Sequence, residues 1–96
     1  MASNVTFNLI ILVLEGHEPA SSSVTRRINA RIDALESGLC SFCPNPQRLM
    51  AEVELLSAAL LLVDLKQDMV VANSVRFQSN VLAVLENLRE YLAGEV

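Results

Sequence analysis

The chain has 96 residues, 52% of them hydrophobic but only 4% aromatic, and a formal charge of −4 at neutral pH. That length accommodates one domain with one core, and the acidity counts against general attraction to nucleic acid or anionic membrane, which depends on clustered Lys and Arg. Leu, Val, Ile and Ala carry the apolar mass, more of it than a small monomer readily hides, so a covering partner is expected, most simply a second copy of the chain.

The first element covers residues 4–15, within "NVTFNLIILVLEG". Val5, Phe7, Leu9, Ile11 and Val13 would share one face of a strand. A helix fits equally: Asn4 can cap its start, Phe7, Ile10, Ile11 and Leu14 have helical spacing, and Gly16 can supply a left-handed stop. Either form is apolar on more than one face and must be covered on both sides. Phe7 to Leu14 is too short to span a bilayer and lacks a basic n-region and a small-residue cleavage site. The expectation is a cytoplasmic chain with no membrane partner and reduced thiols, in which the Asn4-Val5-Thr6 sequon is a chance match.

A turn, "GHEPASSSV", follows, and any of its three serines can cap the next helix, at residues 22–37. Val24, Ile28, Ile32, Leu35 and Leu39 form one narrow stripe along it, and Gly38 suits a helix stop. Residues 38–45 form a loop holding both cysteines. Asn45 then serves as N-cap and Pro46 as first helical residue, where a missing N–H costs nothing.

Beyond Pro46, residues Leu49, Val53, Leu56, Leu60, Val63, Gln67, Val70, Ser74, Phe77, Val81, Val84, Leu88 and Tyr91 recur in unbroken four-three steps, and only Gln67 and Ser74 are not apolar. A single helix of this extent would be on the order of 70 Å long. A small domain more often folds such a helix back, so two helices are expected, at residues 46–70 and 74–93. The break falls at the polar run Asp64 to Asp68 or at Asn73-Ser74, where a side chain can restart the helix. A second line, Leu55, Ala59, Leu62 and Met69, flanks the first, and two apolar lines require two sets of neighbours.

Three groups of residues merit a chemical test. Cys40-Ser41-Phe42-Cys43 has the spacing of a redox pair, but it follows a helix and lacks the strand-to-helix setting that activates such thiols. As metal ligands, Cys40 and Cys43 supply half of a four-thiolate zinc site, which a dimer would have to complete. The favoured reading is a hairpin corner packed by small apolar cysteines, with no metal or cofactor. His17 lies between Glu15 and Glu18, where carboxylates can orient an imidazole, yet a lone His in a Gly-Pro turn is more often solvated. Arg26, Arg27 and Arg31 form the one basic cluster. Beside three serines and a helix start they can contact phosphate, and doubled in a dimer they can contact double-stranded RNA. A solvated helix face, its charges paired with Asp33, Glu36 or another helix, is the simpler account.

The stretch from Val24 to Lys66, a helix, a Pro44-Asn45-Pro46 corner and a second helix with heptad-like Leu and Val, resembles the helical hairpins of type III secretion needle subunits and their small co-chaperones. The resemblance covers under half of the chain. It implies a hairpin fold and assembly with other proteins, and it carries no functional residue with it.

The sequence therefore predicts a single, mainly α domain over residues 1–96, a small helical hairpin or bundle with an N-terminal segment that is helix or strand. It predicts a homodimer that binds other proteins without catalysis, in the manner of an adaptor or chaperone. Leu49, Val53, Leu56, Leu60, Val63, Val70, Phe77, Val81 and Leu88 are the expected interface.

Overall fold

Helix α1 spans Ala2–Leu14, so the apolar N-terminal segment takes the helical of its two possible forms. Phe7, Ile10, Val13 and Leu14 are its buried residues, a three-four spacing that a strand would have split between two faces. Its end is a complete left-handed cap. Gly16 has φ +88°, its N–H donates to the Val13 carbonyl, and the His17 N–H donates to the Leu12 carbonyl. This pairing satisfies carbonyls that the last turn would leave open, and a side chain at Gly16 would be strained.

The structure, a computed structural model, describes residues 2–39 and 46–94. Helix α2 is Ser22–Leu39, α3 is Pro46–Lys66, α4 is Met69–Ala72 and α5 is Val75–Ala93. No strand occurs among the described residues. Ser21 is the serine that caps α2: its Oγ accepts from the Val24 N–H at 3.4 Å and its carbonyl from the Thr25 N–H at 3.1 Å. The helix runs through Gly38 to Leu39, past the stop expected at Gly38. Cys40 and Cys43, with the loop expected to hold them, and the cap expected at Asn45 lie outside the described residues.

The long apolar register is broken at both of the expected places. α3 ends at Lys66, short of the expected residue 70. Asp68 accepts from the N–H groups of Val70 and Val71 at 3.0 and 3.3 Å and starts the single turn of α4. Ser74 then accepts from the Phe77 N–H at 3.1 Å and starts α5. Both side chains sit on extended backbone and satisfy otherwise open helical donors, so each stabilises a restart where a continuous helix would have gained nothing from them.

With the chain turned back at residues 67–74, α3 packs against α2 on one side and α5 on the other, and α1 touches α2, α3 and α5. One core results. Phe7, Ile10 and Val13 of α1, Ile28 of α2, Leu56 and Val63 of α3 and Leu88 of α5 are its most enclosed side chains. Burial of such side chains supplies the main driving force, at roughly 1.5–3 kcal/mol each.

Candidate functional site

Most of the residues expected at an interface line the interior of a single chain. Leu56, Val63, Phe77, Val81 and Leu88 are buried, and Leu49, Val53 and Leu60 pack partly buried against them. Val70 alone among the nine is strongly exposed, at 83%. The four-three repeat is thus real, and its two halves face each other and α1 after the chain folds back.

The polar centre of the bundle is Glu52, only 4% exposed. Arg31 donates from Nε and Nη2 to its Oε2 at 3.1 and 2.9 Å. The Tyr91 hydroxyl donates to its Oε1 at 2.9 Å. Tyr91 in turn stacks on Phe7 with ring centroids 5.3 Å apart, and the Arg48 guanidinium lies 4.4 Å from its ring centre. One strap therefore joins all four long helices. A buried carboxylate is costly unless its oxygens are satisfied, and here both are engaged by protein donors.

This centre had a signal in the sequence. Glu52 lies three residues after Leu49 and four before Leu56, which puts a charge on the core line of α3 and calls for a buried cation and donor. The basic cluster is correspondingly divided. Arg31 turns inward to Glu52, Arg26 donates from Nε to the Ser22 carbonyl at 3.4 Å, and Arg27 stays on the surface. The expected pairing of this helix with an acidic residue of another holds for Arg31.

A second polar group surrounds the end of α1. Lys66 donates from Nζ to the Val13 carbonyl, and Arg89 is ion-paired with Glu15. Cations at a helix C-terminus complement its dipole. Exposed His17 places Nε2 4.0 Å from the Glu15 carboxylate, so Glu15 stands between two basic groups. These residues edge an open groove of about 680 Å³ whose floor is Leu14, Phe77, Val81 and Leu85. Leu82 also lines it.

Large apolar side chains are exposed on α1 (Val5 and Leu12), α3 (Met50, Leu61 and Leu65), α4 (Met69 and Val70) and α5 (Val75 and Leu82). α4 buries none of its residues. Among the described residues no three of His, Cys, Asp and Glu converge as metal ligands, and no helix is long and apolar enough to cross a membrane. No protein-family model matches the chain, and no curated protein or solved structure shows significant similarity to it.

Proposed function

We propose that the chain is a non-catalytic helical interaction module, an adaptor-like domain that works by binding protein surfaces, a copy of itself among them. The observation that carries this reading is the number of exposed large apolar side chains, most of them on α3, α4 and α5, present although the core already holds the long repeat. Surfaces of this kind are expensive to leave in water and characteristic of protein contacts.

Site-specific photo-crosslinking tests it. A photoreactive amino acid at Leu61 or at Leu82, in cells that naturally carry the protein, should give discrete crosslinked species. The same group at Asp33, on the exposed face of α2, should give none. The protein trapped in this way should then bind the purified chain directly, with fixed stoichiometry, and more weakly after Leu61→Ser or Leu82→Ser. Crosslinks of equal yield from all three positions, or from none, would overturn the reading.

A further inference from the structure

The outer face of α5 carries a pattern that matches itself. Val75, Ser79, Leu82 and Glu86 recur in steps of four, three and four and form one line on the exposed side of the helix, with Leu82 also lining the groove of Phe77, Val81 and Leu85. Val75 is 83% exposed and Leu82 68%. Arg76 and Glu86, also exposed, make no ion pair or side-chain hydrogen bond among the described residues. Their signs are opposite, and ten residues separate them, about 15 Å along the helix.

We infer that this face binds the same face of a second copy, with the two α5 helices antiparallel about a two-fold axis level with residues 80 and 81. The inference rests on the interaction-module reading and names the partner and the contact. In that register each Leu82 lies over the small Ser79 of its mate. Each Glu86 lays its aliphatic stem over the opposite Val75 and brings its carboxylate to the opposite Arg76. A two-fold contact must be self-complementary, and here large meets small and positive meets negative twice over. A face bearing one sign of charge would repel its own copy. α4 lies at the N-terminal end of α5, and its exposed Met69 and Val70 add apolar surface there. The contact is small and built on one helix per chain, so a reversible dimer is expected, sensitive to charge at its two ends.

Sedimentation equilibrium of the full chain, from micromolar to millimolar concentration, reads the outcome, with circular dichroism confirming that each variant stays helical. The natural chain should dimerise reversibly. Arg76→Glu places two acids together at each end of the contact, and Glu86→Arg two bases. Either alone should raise the dissociation constant by about tenfold or more, and the double variant should return to within a few-fold of the natural value. Leu82→Ser, which leaves every charge in place, should weaken the dimer as well. A chain that stays monomeric at millimolar concentration overturns the inference, and so does a dimer indifferent to both single charge reversals or one that the double reversal fails to restore. A monomer that still crosslinks to a different protein through Leu61 would leave the interaction-module reading standing while removing this one.

Discussion

The inward and outward lines of α5 belong to one helix and draw on the same residue classes, yet they meet different fates. Inward, Phe77, Val81, Leu85 and Leu88 are covered by the rest of the chain, and the line ends near Tyr91, whose hydroxyl is taken up by Glu52. Outward, Val75 and Leu82 stay in solvent near Arg76 and Glu86, which have no ion-pair partner among the described residues. The same contrast holds between two glutamates. Glu52 is buried and satisfied by three donor atoms of its own chain, while Glu86 is open to a donor from outside. Stability and the proposed association would therefore draw on different faces, and substitutions should separate them.

The largest effect is expected at the enclosed core. Leu56 is fully buried, so Leu56→Ala should cost about 2–5 kcal/mol in urea unfolding, lost transfer energy plus the cavity left behind. For a small domain of ordinary stability this is a large share of the total. If the core and outer faces are separate, the variant that remains folded should associate as the natural chain does. A loss of association without a loss of stability would show that Leu56 faces a partner.

Removing the charge at the polar centre comes next. Glu52→Gln leaves Arg31 and Tyr91 facing a neutral amide, and about 2–4 kcal/mol of destabilisation is expected. The lower end reflects Arg31, whose side chain is 27% exposed and can recover water. Tyr91→Phe deletes one donor and keeps the stacking on Phe7, so about 1–2 kcal/mol is expected. The two changes together should cost less than their sum, because both act on the same hydrogen bond, which Glu52→Gln weakens and Tyr91→Phe deletes. Strict additivity would mean that the hydroxyl and the carboxylate do not act on each other.

How much of this was legible in the chain differs from element to element. The restart residues could be read directly. Asp68 and Ser74 are short polar side chains at points where the apolar register lapses, and capping is a local property that needs no knowledge of the fold. Gly16 was legible for the same reason. The form of residues 4–15 was not, because a short run apolar on several faces suits a buried strand and a buried helix alike, and the choice rests on packing against α2, α3 and α5.

The fate of the long four-three repeat was not legible either. Periodicity says that Leu56, Val63, Phe77 and Val81 must be covered, and is silent on whether the cover comes from the same chain or another. Once the chain turns at residues 67–74 the repeat covers itself, and the large apolar residues left exposed along this stretch are mostly off the register, Met50, Leu61, Leu65, Met69, Val75 and Leu82, together with Val70 at the turn. Arg31 was assigned with Arg26 and Arg27 because sequence neighbours suggest a cluster. The informative residue was its distant partner Glu52, a charge standing on an apolar line.

The smallest expected effects sharpen the boundary between the two faces. Ser74→Ala removes the acceptor for the Phe77 N–H and should cost about 1 kcal/mol, chiefly by fraying the first turn of α5. That turn carries both buried Phe77 and exposed Val75 and Arg76, so this substitution is the one expected to touch both faces: stability falls slightly, and any contact through the outer line weakens with it. Leu82→Ser lies about two turns beyond the cap on the solvent side, and its effect on unfolding should stay within about 0.5 kcal/mol. Equilibrium unfolding, with sedimentation run on the same samples, resolves the pair. If Leu82→Ser destabilises the monomer as much as a core truncation does, Leu82 is held by the groove beneath it, between α5 and the end of α1, and the outer face of α5 begins one residue line farther from the core.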